Sequence, residues 1–264
     1  MDKREGRFAD TSRMHVLDHK GEFYTVKGPL NISRPPQGHP VIIQAGASDA
    51  GRALAASIAE IVFAVQQDLN AAKAFRADLR ELASQSGRNP DHMKVMPGVS
   101  PIIGETEADA KAKLAMLVEM MDPKSAVKVL SERLGQDLSD YPLDGPVPDL
   151  PPSSMMQGHA VTLTAMAKAK NMTLRELRDY AAAAMGHRLL VGTPEMVADG
   201  LEEWFVAGAA DGFNIMPSWF PGAFDDFVDH VVPILQKRGL FRTDYTGRTL
   251  RDHLGLPRPA APTR

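Results

Sequence analysis

The amino-acid sequence predicts an α/β protein, a parallel sheet of about four strands with helices between them and a helical insertion. Three observations predict it. Short apolar runs alternate with amphipathic segments of helical period, the order expected of β-α units. The runs lack polar alternation, as in strands covered on both faces. Most helical segments open on a Ser, Thr or Asp placed to cap them. Four strands fit the length poorly, because a closed eight-stranded β/α barrel takes about 250 residues in all. The chain therefore reads either as a small open sheet with long decorations or as part of a barrel.

The elements follow in order. Residues 1–40 are rich in Gly, Pro and His and read as irregular, with an extended piece from Glu22 to Val26. Arg34-Pro35-Pro36 stays extended because proline excludes the helical region for its predecessor. Val41-Ile42-Ile43-Gln44-Ala45, between Pro40 and Gly46, is the first strand. Ser48 caps a helix to Ile58. Ile61 to Val65 is the second strand. Asp68 to Gln85 is a helix with Leu69, Ala72, Phe75, Leu79 and Leu82 on one face, closed by Gly87. Met93 to Ile103 is the third strand, with Pro97 and Gly98 as a point of interruption. Thr106, with Asp109 three residues on, caps a helix to about Met121.

Residues 122–190 break the alternation. They read as a helical insertion around a Pro-rich stretch from Tyr141 to Pro152, with a capping box, Thr173 to Glu176, for a helix through Ala184. Thr193-Pro194-Glu195 opens a helix to near Gly208. Gly212 to Met216 is the fourth strand, Asp225 to Arg238 the last helix, and residues 240–264 a polar, Pro-rich tail. The whole of 1–264 reads as a single portion of one domain.

Composition narrows the function. Thirty basic against 33 acidic residues leave a net charge of −3, which offers nothing to a phosphate backbone, so nucleic acid is not an expected partner. The absence of cysteine excludes disulfides, thiolate metal sites and a cysteine nucleophile. No apolar run approaches the roughly 20 residues that span a bilayer. The first residues lack the apolar core of a signal peptide. The expectation is a cytoplasmic protein.

The best local site is Gln44-Ala45-Gly46-Ala47-Ser48-Asp49-Ala50-Gly51, which leaves a strand and opens a helix. Gly46 permits a tight turn, and the amides of Ala47, Ser48 and Asp49 stand free at the helix start, where the dipole favours an anion such as a phosphate. Asp49 would repel that anion, and Arg52 is placed to offset it. Spacing alone leaves two readings, a serine-capped turn, which it favours, and an anion site. Gly186-His187-Arg188 is a second candidate, able to bind an anion or move a proton, or else a polar end to the insertion. His15 and His19 share the spacing of metal ligands, but Gly21 and its β-prone neighbours argue for an extended segment, and no metal is expected. Trp219 and Phe220, after the last strand, either line a pocket or pack their loop. The methionines at 116, 120, 121, 155, 156 and 166 read as core.

Longer segments resemble a known family. These are Asp18 to Leu30, Arg34 to Ser48, Val191 to Phe205, Gly208 to Pro217 and Arg238 to Leu256. Together they are similar to the nitrilotriacetate and dibenzothiophene-sulfone monooxygenase group of the bacterial-luciferase-like enzymes. The resemblance implies a TIM-barrel fold, here an incomplete barrel. It also implies reduced FMN supplied by a separate flavin reductase, dioxygen as co-substrate and a small organic substrate. By the same resemblance Gly46, Ala47 and Ser48 hold the FMN phosphate and His187 lines the catalytic pocket. In that family considerable sequence precedes the segment matching residue 1 and carries the first strands and further flavin contacts. The expectation is then a half barrel with exposed sheet edges, prone to self-association into a homo-oligomer unless a partner completes it. Two other readings stay open, an F420- or flavin-dependent oxidoreductase and a non-catalytic remnant.

Overall fold

A computed structural model of the chain describes residues 2–149 and 157–260 and divides into two compact units. Met155 and Met156, read above as core, lie outside the described residues. The smaller unit comprises residues 1–40 and 258–264. Its regular structure is a short antiparallel pair, β1 (His19–Lys20) and β2 (Thr25–Val26), with His19 opposite Val26 and Lys20 opposite Thr25. The extended piece expected from Glu22 to Val26 is thus the second arm of a hairpin that turns at Gly21, whose N–H donates to the Tyr24 carbonyl at 2.9 Å. His19 lies in a strand, not on a helical face beside His15.

Residues 41–257 form the larger unit. It begins with β3 (Ile43–Ala45), α1 (Asp49–Ile58), β4 (Ile61–Ala64), α2 (Leu69–Gln85), β5 (Lys94–Ile103) and α3 (Glu107–Glu119). Three helices follow, α4 (Pro123–Leu134), α5 (Gln157–Ala169) and α6 (Leu174–Ala184). The unit ends with β6 (Arg188–Gly192), α7 (Pro194–Val206), β7 (Asn214–Ile215), α8 (Gly222–Asp226), α9 (Val232–Lys237) and α10 (Leu250–His253).

The sheet is parallel, in the order β3-β4-β5-β6, with β7 also paired to β5. The four expected strands are all present. Pro97 and Gly98 do not interrupt β5, which runs ten residues and is buried along nearly its whole length. That length explains the strand the sequence reading missed. The first half of β5 pairs with β4, from Ile61 opposite Lys94 to Ala64 opposite Pro97. Its second half continues beyond β4 and pairs with Arg188–Gly192, Val99 lying opposite Arg188 and Ile103 opposite Gly192. The last residues assigned to the insertion are therefore sheet.

The caps formed as their side chains dictate. Ser48, Asp68, Thr106, Thr173 and Thr193 each accept an N–H from the first turn of their helix, and Thr173 and Glu176 complete a reciprocal box. The expected final helix from Asp225 to Arg238 is instead α8 and α9 joined by a wider, π-helical turn over Phe227–Val231. Pro233 accounts for the break, since it has no N–H to continue the ladder.

The core has separate parts. Val62 and Val95 pack with Ala55, Leu79 and Ala83 between the sheet and helices α1 and α2. Val99 and Ile103 pack with Val197, Leu201, Phe227 and Val231 between the sheet, α7 and the π turn. The insertion has a cluster of its own, built on Leu130, Leu134, Leu138, Leu163, Leu174 and Leu177. The tail, read as polar, contains α10 and its buried Arg251, whose guanidinium meets the Glu60 carboxylate at 2.5 and 2.7 Å.

Candidate functional site

The turn after β3 is built by small residues. Gly46 sits at φ +151°, which L side chains rarely adopt, and a Cβ there would come within 3.0 Å of the Gln44 side-chain nitrogen. Ser48 takes the extended conformation of an N-cap, and its hydroxyl accepts the Gly51 N–H at 3.1 Å. The amides before Gly51 have no acceptor within the helix, as at any helix start. The objection from Asp49 is met. Arg52 holds the Asp49 carboxylate at 2.5 Å and reaches Asp78 at 2.6 Å with its other nitrogen. These two carboxylates raise the Arg52 pKa, the Asp49 hydrogen bond most. Arg52 is thus committed to carboxylates, and an anion at the turn would rest on backbone amides and the Ser48 hydroxyl. That donor set, small and largely exposed, fits a phosphate.

His187 stands elsewhere along the chain but close in the sheet. It is buried, 6% exposed, and its ring stacks on Phe63 with centroids 5.2 Å apart and planes 23° from parallel. The ring also occupies the space a side chain would need at position 98: a Cβ on Gly98 would lie 2.3 Å from His187 Nδ1. Phe63 lies near the carboxyl end of β4, opposite Ala45, the residue before Gly46. The glycine turn leaves the carboxyl end of β3, and the His187 ring, although its residue stands at the amino end of β6, lies against the carboxyl end of the adjacent strand β4, where β/α folds carry their active sites.

The His187-Arg188 pair expected as one anion site is not formed. Successive strand residues point to opposite faces. The Arg188 guanidinium lies 4.3 Å from the centre of the Trp204 ring and donates to the Gly200 carbonyl at 2.9 Å, against α7. Burial there lowers its pKa, partly opposed by Glu203 and Tyr180. Phe220 is 73% exposed and touches Phe224, so it packs its own loop at most loosely. Among the described residues no group of three His, Asp or Glu side chains is placed to hold a metal ion, and no helix is long and apolar enough to cross a membrane.

The sequence reading missed the residues around the histidine. The Tyr180 hydroxyl lies 2.6 Å from Gln67 Oε1 and 2.9 Å from the His187 carbonyl, and it accepts the Leu189 N–H at 3.2 Å. Burial raises the phenol pKa, and its hydrogen bonds with Leu189 and Gln67 oppose that rise. One signal was available: an isolated glycine inside a strand, Gly98, marks a close approach by another group. Nothing local pointed to Phe63, Gln67 or Tyr180.

Comparison with known proteins identifies the family. Residues 8–211 match the family described as luciferase-like monooxygenase. The N-acetyl-S-(2-succino)cysteine monooxygenase of Bacillus subtilis is 48% identical over 97% of this chain and 59% of its own length. Nitrilotriacetate monooxygenase component A of Aminobacter aminovorans is 46% identical over 98% of this chain and 57% of its own. Among solved structures, riboflavin lyase with a modified FMN and riboflavin superimposes with a TM-score of 0.78 at 32% identity, over 96% of this chain and 56% of that one. The chain thus spans a little over half the length of the curated relatives it matches.

Proposed function

The chain belongs to the luciferase-like monooxygenase family, and from that premise we propose that it is the C-terminal portion of a flavin-dependent monooxygenase barrel that uses reduced FMN and dioxygen to oxygenate a small organic substrate. In this reading residues 1–264 form a single portion of the barrel domain, with the insertion called over 122–190 ending before β6 and 240–264 as the tail. One observation supports it above the rest: Ala45 opposite Phe63 brings the Gly46-Ala47-Ser48 turn and His187 to neighbouring strand ends. The solved relative that carries a modified FMN supports FMN as the flavin. The matched nitrilotriacetate enzyme is named as a component A, which accords with a separate reductase component. Monooxygenases at 46–48% identity favour this reading over an F420-dependent oxidoreductase.

The residues divide the work. The amides of Ala47 and Ser48 and the Ser48 hydroxyl hold the phosphate, whose charge faces the positive end of the α1 dipole. Arg52 keeps the Asp49 carboxylate occupied. Phe63 and His187 form an aromatic wall that excludes water, and His187 exchanges a proton through Nε2, the ring nitrogen away from Gly98. The flavin, when bound, supplies the oxygen-activating chemistry, and the chain binds and orients it.

The test is a fluorescence titration of the chain with FMN beside riboflavin, which lacks the phosphate. Ser48→Asp keeps a capping side chain but sets a negative charge against the phosphate. The expected result is FMN binding weakened about tenfold or more, roughly 1.4 kcal/mol, with riboflavin little changed. Equal effects on both flavins would remove the phosphate role, and a chain that binds neither would be either a remnant or a portion that needs the rest of the barrel, which adding that portion separates.

A further inference from the structure

The turn that carries His187 is held in an uncommon way. Five successive backbone carbonyls, from Ala183 to His187, each meet a side-chain donor, and each donor comes from a different part of the larger unit. The Ser218 hydroxyl, after β7, donates to the Ala183 carbonyl at 3.1 Å. Ser100, on β5, approaches the Ala184 carbonyl at 3.5 Å, the limit of a hydrogen bond, and that carbonyl also accepts the His187 N–H at 2.8 Å. Arg133, on α4, donates to the Met185 carbonyl at 2.6 Å. Gln67, after β4, donates its amide to the Gly186 carbonyl at 2.8 Å. Tyr180, on α6, shares its single hydroxyl hydrogen between the His187 carbonyl and Gln67 Oε1.

Exposed turns give their carbonyls to water. Here the partners are side chains as far as 119 residues away, and most are half-buried or buried. Arg133 remains there although burial lowers its pKa. The backbone also needs holding. Met185 takes φ +50°, a left-handed conformation that costs a non-glycine residue about 1 kcal/mol or more and persists only where the surroundings over-determine it. The result is a histidine ring in one place, on Phe63 and in the space left by Gly98. In a catalytic site a misplacement of ~1 Å can cost about 10²-fold in rate, so a histidine with a chemical role has reason to be fixed so firmly.

We propose that Gln67, Arg133 and Tyr180 are positioning residues for His187, and that through them the helical insertion and the end of β4 together set where the imidazole stands against that strand. The proposal rests on His187 being a site residue, but its geometry is testable without flavin or turnover.

The experiment is ¹H–¹³C NMR of the full chain with ring-labelled histidine, the His187 resonance being assigned by its loss in His187→Gln. In the wild type the Phe63 face displaces that resonance upfield, and Phe63→Leu abolishes the displacement. Tyr180→Phe, Gln67→Leu and Arg133→Met are each expected to lose most of it and to broaden the signal, whereas Arg133→Lys, which keeps a donor for Met185, restores it. Gln67→Glu keeps the size of the side chain. It retains an acceptor for Tyr180 and sets a carboxylate oxygen against the Gly186 carbonyl in place of the donor, so it breaks that contact without leaving a void and is read beside the others. A His187 resonance left in place in a folded Gln67→Glu and in every other folded variant overturns the proposal, even where melting temperatures fall. A chain whose histidine responds but whose FMN binding is indifferent to Ser48→Asp keeps the positioning network and loses the phosphate site. The converse outcome keeps the phosphate site alone.

Discussion

The insertion α4–α6 and the strand-helix unit β3–α1 dispose of their apolar residues in opposite ways. The insertion buries Leu130, Leu134, Leu163, Leu174 and Leu177 in a cluster made largely by its own helices. The β3–α1 unit leaves Ile43 59%, Leu54 50% and Ile58 47% exposed. Among the described residues β3 also pairs on one side only, with β4. Helices satisfy their backbones internally and need only each other's side chains, whereas a strand needs a neighbour on both edges and a layer on both faces. What ties β3 down is polar. Glu60 accepts the Ile42 N–H at 3.0 Å and is itself clamped by Arg251.

That contrast can be broken experimentally. The largest effect is expected at the clamp. Arg251 is 1% exposed, so Arg251→Met leaves the Glu60 carboxylate without its charge partner, at a cost of about 3–5 kcal/mol in urea unfolding. A loss below about 1 kcal/mol would mean that β3 is held by something other than the clamp. Next is Leu177→Ala, in the insertion core, with an expected loss of about 2–5 kcal/mol. A much smaller loss would show that the cluster does not stabilise the folded chain.

A smaller effect belongs to Tyr180. Its folded pKa is raised, so the stability held by the neutral phenol is complete below the ordinary value of about 10 and is lost as pH rises from there through the folded value. Melting temperatures measured across that alkaline range should fall more steeply for the wild type than for Tyr180→Phe. Equal slopes would place the tyrosine in a less buried setting. The smallest effect is expected from Ile43→Thr, within about 0.5 kcal/mol, as for an exposed position. A loss as large as that of Leu177→Ala would mean that self-association or a partner covers β3 in solution, and sedimentation of the two proteins would show which.

Much of the fold was legible because its signals are local. The caps at Ser48, Asp68, Thr106, Thr173 and Thr193 depend on one side chain and an amide within three residues of it. The four strands follow from apolar runs between turn residues. The Gly46-Ala47-Ser48 turn could be proposed as an anion site for the same reason, since its parts adjoin in the chain. Three other features were not legible. Residues 188–190 were given to the insertion, and 191–192 to no strand, because a short apolar run becomes a strand only when a neighbour offers an edge, and that edge is the second half of β5. Arg188 was read beside His187 because adjacency in sequence says nothing of which face each residue takes. The tail was read as polar because burial of Arg251 requires Glu60, 191 residues earlier.

The sequence by itself determined the family, the β-α alternation, the helix starts and the serine-capped glycine turn after β3, all of them consequences of short-range hydrogen bonding and of ordered segments of chain. The tertiary structure decided where His187 stands, that Phe63 and Gly98 make its seat, that the four carbonyls before it meet side chains 35 or more residues away, and that Arg188 belongs to α7. The physical reason is separation. Each of those contacts joins groups whose proximity follows only once the sheet is paired and the insertion packed.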